Sequence, residues 1–265
     1  MLCTKNNPHL FDYLSRKKIQ TLDGHIKLEG DNLICIAGRP GMGKTSLALY
    51  MALDYATKSS NAIHIFSLDM SAEQIVDRLL IMLSEIDSYT FRKGTFSNEE
   101  KERLESAKKK LSNFNFIIND SPFLTVQQIE ERIESGDSLR LLIIDGVQHL
   151  MPKDKIAPRD CGYHEIGRQL KQLSNRKNIP IVVTSSLSRH VERRINKKPQ
   201  ISDLKKMGIS VNDIDTICFV YREGYYKPFE NSEKAEILIA KNKYGPCETI
   251  PMKWEGQYMR FTEEK

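Results

Sequence analysis

The sequence predicts an α/β fold with a mainly parallel central sheet, flanking helices and an antiparallel C-terminal extension. Three observations carry that expectation. Short apolar runs alternate with amphipathic stretches along the chain. LICIAG at 33–38 and LRLLIID at 139–145 are apolar at nearly every position, as parallel strands covered on both faces must be. Near the end, AEILIAKNK (235–243) and ETIPMKW (248–254) flank Tyr244-Gly245-Pro246, a turn signal that makes them paired neighbours.

The elements follow in order. The strand at 33–38 runs into a glycine-rich loop, and 45–57 reads as a helix. AIHIFSLD (62–69) is a second strand and 72–86 a helix. Residues 98–111 form a charged helix, with Glu99, Glu100 and Glu102 early and Lys108, Lys109 and Lys110 late, an order that suits the helix dipole. FNFIIND (114–120) is a third strand, 125–134 a helix and 139–145 the fourth strand. Residues 163–175 are helical, IPIVVTSS (179–186) is the fifth strand and 188–212 a basic loop. DTICFVYR (215–222) is the sixth strand. The two paired strands follow, and QYMRF (257–261) completes the sheet. One domain thus covers about 26–265, and 1–25 is an N-terminal arm whose DYLSRKK could form a linker helix. Neither an internal repeat nor a low-complexity tract interrupts this order.

Composition narrows the class. With 40% hydrophobic and 28% charged residues, the 265-residue chain has an ordinary globular composition. No apolar run approaches the roughly 20 residues of a membrane span. The N-terminus lacks the apolar stretch of a secretory signal. Five cysteines, odd in number and with no C-x-x-C, read as free thiols in a reducing cytoplasm, so the expected location is cytoplasmic with no membrane partner. The net charge is +5. Its distribution says more: Arg189, Arg193, Arg194, Lys197, Lys198, Lys205 and Lys206 fall within 189–206, opposed only by Glu192 and Asp203. Such a local excess can track a nucleic-acid backbone.

One motif carries chemistry. Gly38-Arg39-Pro40-Gly41-Met42-Gly43-Lys44-Thr45 is a complete G-x-x-x-x-G-K-[ST], preceded by a strand and followed, from Ser46 on, by a helix. Gly41 and Gly43 let the backbone turn its N–H groups onto phosphate oxygens. The helix N-terminus adds positive potential. Lys44 reaches the β- and γ-phosphates, and the Thr45 hydroxyl binds Mg²⁺. Asp145, ending LRLLIID about 100 residues later, is the carboxylate expected to hold that Mg²⁺ through water. The chain is therefore expected to bind ATP with Mg²⁺.

IAGRPGMGKTSLALYMA, FSLDMSAEQIVDRLL, LTVQQIEERI, IIDGVQHLM, SSLSR, SDLKKMG, FVYREGYYKP and AKNKYGP, in this order, resemble the ATPase domain of DnaB-type replicative DNA helicases, a branch of the RecA-like P-loop fold. The resemblance covers about residues 30–262. It implies a homo-oligomer, a hexameric ring with ATP at the seams between subunits and single-stranded DNA in the channel, with primase or a helicase loader as further partners. It places Asp69 at the position that activates the attacking water. Lys243 falls at the arginine finger, with Lys241 as its lysine partner. Arg222 and the Tyr225–Tyr226 pair fall near the base. Lys205, Lys206 and Gly208 fall on the DNA loop, to which the charge excess adds Arg189, Arg193 and Arg194.

The chain departs from that pattern. Asp69 stands where FSLEMS has glutamate, and a displacement of about 1 Å at a reacting centre can cost on the order of 10²-fold in rate. Ser186 replaces the glutamine of SQLSR. Lys243 replaces the arginine finger and loses its planar fork. Lys206 stands where DLRESG has glutamate. The resemblance thus implies an ATP-dependent DNA helicase or translocase, with hydrolysis slowed more than binding. Two further readings remain at this point. One is an ATP- and single-stranded-DNA-binding accessory protein with slow or absent hydrolysis, acting as a loader or regulatory subunit. The other is a recombinase-like filament former.

Overall fold

The computed structural model describes residue 22 and residues 24–134, 139–152, 159–206, 209–227 and 232–263. Most of the expected N-terminal arm lies outside them. Nine strands form one sheet in the order β3-β2-β4-β5-β1-β6-β7-β8-β9. The first six are parallel: β1 (Leu33–Gly38), β2 (Ala62–Ser67), β3 (Phe116–Asn119), β4 (Leu139–Asp145), β5 (Ile181–Ser186) and β6 (Thr216–Arg222). The antiparallel extension is β7 (Lys234–Asn242), β8 (Thr249–Glu255) and β9 (Arg260–Glu263).

All six residues of β1 are buried, and the strand alternation sends them to two cores. Ile34 and Ile36 join Leu47, Leu49, Met51, Ile75, Leu79 and Met82 from α1 (Lys44–Lys58) and α2 (Ala72–Ser84). Leu33, Cys35 and Ala37 join Ile129, Ile133, Ile166, Leu170 and Leu173 from α5 (Val126–Glu134) and α6 (Arg159–Lys177). A side chain added to or removed from β1 is therefore felt on one face or the other, as close packing requires.

The helix ends have local causes. Ser71 and Gln74 form a reciprocal capping box at the start of α2, and Ser97 and Glu100 do the same for α4 (Asn98–Leu111), whose bounds match the expectation. The sequence reading missed α3 (Ser88–Lys93). Tyr89, Thr90 and Phe91 hide its helical character, but the Asp87 carboxylate accepts from the Tyr89 and Thr90 N–H groups and Gly94 closes it at φ 71°. QYMRF is not a continuous strand. Gly256–Tyr258 is a 3₁₀ turn, Met259 turns at φ 53°, and only from Arg260 does the chain pair with β8. The basic loop contains 3₁₀ turns at Arg189–Arg193 and Ile201–Lys206. Among the described residues no helix is long and apolar enough to cross a membrane.

Candidate nucleotide-binding site

The phosphate loop leaves the carboxyl end of β1. Gly41 (φ 79°) and Gly43 (φ 99°) occupy the left-handed region that glycine tolerates. Pro40 and Gly41 are exposed at the tip, while Met42 and Ser46 are buried and anchor the loop to the core. The Arg39 side chain turns inward: Nε pairs with Glu192 at 2.9 Å and Nη1 donates to Leu187 O at 2.6 Å. Arg39 therefore lends the site its backbone, and its side chain ties the loop to the segment after β5. Among the described residues, Lys44 Nζ reaches only the Arg39 carbonyl, at 3.3 Å. Burial pushes the Lys44 pKa down, while Asp145 and Asp69 pull it back up. A partly desolvated ammonium held by one long carbonyl bond has donors left for an anion.

β5 separates β1 from β4, but Thr45 lies in the first turn of α1, past the loop, where its side chain meets Asp145 at the end of β4. Thr45 Oγ1 donates to both oxygens of Asp145 (2.9 and 3.0 Å). Thr184 Oγ1, on the intervening strand, donates to Asp145 Oδ1 at 2.6 Å and accepts from Gly146 N at 2.8 Å. Thr184 was not anticipated; its place in β5 beside Ile36 of β1 was the available signal. A hydroxyl and a carboxylate are hard oxygen donors of the kind Mg²⁺ takes, with its remaining positions filled by water and phosphate. The residues present fit that ion.

Asp69 lies two residues beyond β2, whose Ser67 is in register with Asp145, so it stands at the same end of the sheet. Its carboxylate is exposed and 3.8 Å from His149 Nε2. Ser186, in register with Gly38, ends β5 at the mouth of the loop. On the other side, Arg222 Nη1 donates to Gly41 O at 3.0 Å, and its guanidinium stacks 4.5 Å from the Trp254 ring. Burial pushes the Arg222 pKa down to about 10. Trp254 packs on Phe261, and a Cβ on Gly43 would meet Phe261 Cζ at 2.8 Å. The C-terminal extension thus braces the phosphate loop, a role no motif announced. Tyr225 lies beside Gly41 and packs edge-on against Tyr226, which carries Lys197 Nζ over its ring at 4.9 Å.

Lys241 and Lys243 do not join this group. β7 runs antiparallel to β6, with Asn242 opposite Thr216, so both lysines lie at the amino end of the parallel strands, about 20 Å of strand length from the phosphate loop. Lys241 Nζ donates to Val211 O and Ile214 O (2.8 and 2.5 Å). Lys243 Nζ, on a side chain 55% exposed, is 3.4 Å from Asp215 Oδ1. The basic segment divides as well. Arg194 forms a two-point pair with Asp203 (3.0 and 2.8 Å) and is engaged inside the loop. Arg189 and Arg193 are exposed. Gly208 and the side chains of Lys205 and Lys206 lie outside the described residues.

The comparisons with known proteins bear on this geometry. The family model described as the DnaB-like helicase C terminal domain matches residues 16–263. The replicative DNA helicase DnaC of Bacillus subtilis (strain 168) is 35% identical over 236 residues, which are 87% of this chain and 52% of that protein. The chain therefore spans about half the length of the curated relatives it matches. Among solved structures, the ATPase domain of G40P aligns over 100% of both chains with a TM-score of 0.84 and 27% identity. A DnaB-like replicative helicase described with its interactions with primase aligns over 100% of this chain and 69% of its own, with a TM-score of 0.87 and 26% identity. With the phosphate loop, its partner carboxylate and the mixed sheet all in place, the chain belongs to the DnaB-like helicase C-terminal domain family.

Proposed function

We propose that this chain is the motor domain of an ATP-dependent DNA helicase or translocase that works as a ring, commonly six copies, on single-stranded DNA. One observation carries the reading: the phosphate loop is wired through Thr45 to Asp145 and through Thr184 to the neighbouring strand. ATP is the substrate. The N–H groups of residues 41–46 and Lys44 hold its phosphates, Arg222 and Tyr225 lie on the side where the base would stack, and Asp69 takes the proton of the attacking water. Thr45 and Asp145 would hold Mg²⁺, which would supply positive charge to offset that of the phosphates.

Lys241 and Lys243 serve a neighbouring copy rather than their own loop, since they lie at the other end of the sheet. A site shared in this way suits a closed ring with head-to-tail interfaces. DNA would be tracked by Arg189, Arg193, Lys205, Lys206 and the backbone at Gly208, with Arg194 shaping the loop. The solved relative described with primase makes primase a candidate partner.

The test is steady-state ATP turnover with and without single-stranded DNA, at concentrations that favour assembly. Turnover that rises with DNA and disappears in Lys44→Ala is the expected result. Turnover unchanged in Lys44→Ala would overturn the site assignment.

A further inference from the structure

The backbone that carries Asp69 is well fixed. Ser67 is in register with Asp145, and the Leu68 N–H donates to the Asp145 carbonyl at 3.0 Å. The side chain beyond it is short and 68% exposed, and its two torsions leave the carboxylate free to turn unless a partner holds it. A general base has to keep one oxygen within hydrogen-bond reach of a single water. A base in this setting needs a group that orients it.

His149 stands beside it. Val147–His149 is a 3₁₀ turn that follows directly on Asp145 and Gly146. The turn is pinned at both ends. Val147 and Leu150 are buried, the His149 N–H donates to the Gly146 carbonyl at 2.8 Å, and the Gly146 N–H donates to Thr184 Oγ1. His149 is thereby held where its Nε2 lies 3.8 Å from Asp69 Oδ1. Gly146 makes the approach possible. It turns at φ 88°, and a Cβ there would stand 3.0 Å from His149 Cδ2 and 3.6 Å from Asp69 Cβ, in the space between the two side chains. Among the described residues, no other side chain forms a hydrogen bond or ion pair with Asp69. Both side chains are exposed, so a small torsion closes the remaining distance to a hydrogen bond.

We propose that His149 is the positioning residue of the hydrolytic site: its Nε2–H donates to Asp69 Oδ1 and turns Oδ2 toward the attacking water. The inference rests on the reading of Asp69 as the base and deepens it. An imidazole suits the task because its ring is rigid and can present an N–H at Nε2. The task matters more for aspartate than for the glutamate of FSLEMS. A carboxylate one methylene shorter has less reach with which to correct its own aim, and small misplacements at a reacting centre are costly.

The test measures two quantities: the single-turnover rate of ATP hydrolysis with single-stranded DNA, and the affinity of a non-hydrolysable ATP analogue with Mg²⁺. The variants are His149→Leu, His149→Gln, Asp69→Asn, Asp69→Glu, and Asp69→Glu combined with His149→Leu. His149→Leu should slow hydrolysis about 5–20-fold, a part of the roughly 10²–10⁴-fold that a positioned base contributes, with analogue affinity within about twofold of wild type. His149→Gln keeps an N–H at similar reach and should recover most of that loss. Asp69→Glu moves the carboxylate one methylene away from the imidazole, so adding His149→Leu to it should cost less than about twofold, the mark of two coupled side chains. A wild-type rate in His149→Leu, a parallel loss of analogue affinity, or an equal loss in the Asp69→Glu background would overturn the proposal. Asp69→Asn hydrolysing at the wild-type rate would instead remove Asp69 as the base, a failure read from a different variant.

Discussion

Gly43 sets the tightest limit in the site, because both its backbone and the space beside it exclude a side chain. Its φ of 99° is unfavourable for any L-residue, and a Cβ would stand 2.8 Å from the Phe261 ring. Gly43→Ala should lower the melting temperature, change Trp254 fluorescence and abolish nucleotide binding, with a stability cost of roughly 1–2 kcal/mol from the left-handed backbone alone. Wild-type melting and binding in that variant would contradict the packing described here. The departures at Asp69 and Lys243 give a second prediction. Asp69→Glu or Lys243→Arg should raise DNA-stimulated turnover with little change in nucleotide affinity; no change, or a loss, counts against those roles. His64 gives a third. It is buried on β2, its Nε2 has no hydrogen-bond partner among the described residues, and burial pushes its pKa below 6.5. The unfolded chain takes up the proton more readily, so the contribution of neutral His64 is complete above pH 6.5 and is lost as pH falls through the folded-state value. In melting curves from pH 7.5 to 5, His64→Leu should lose less stability than wild type. At this scale the phosphate loop was legible from its spacing, and Asp145 from its place at the end of an apolar strand. Thr184 and Trp254 were not, since each matters only through a neighbour distant in sequence.

The secondary-structure elements were legible wherever hydrophobic period and caps agreed. α4 carries a capping box and sorted charges, and its bounds follow from sequence. α3 escaped because residues with strand preferences form it and one aspartate cap starts it. The end of the chain was misread as continuous strand because Met259 turns at a positive φ without being glycine. In α2 the capping box starts the helix two residues beyond Asp69. Ser71→Ala should destabilise the protein by about 1 kcal/mol, measured by denaturant unfolding.

Across the whole molecule, the sheet order places the two halves of the chemistry at opposite ends. Lys44, Thr45, Asp69 and Asp145 gather at the carboxyl end of the parallel strands, while Lys241 and Lys243 lie at the amino end. The strand pattern made the parallel core and its antiparallel extension readable from sequence. It could not show that β7 returns its lysines to the far end, because direction within a sheet depends on pairing. The proposed site, divided in this way, would be complete only between copies, and mixing two defective chains tests that directly. Lys44→Ala and Lys243→Ala, each inactive alone, should together recover about a quarter of wild-type turnover, since random neighbours in a ring restore that share of intact seams. Full inactivity of the mixture under conditions where the chains exchange, or a Lys243→Ala chain as active as wild type, would contradict a shared site.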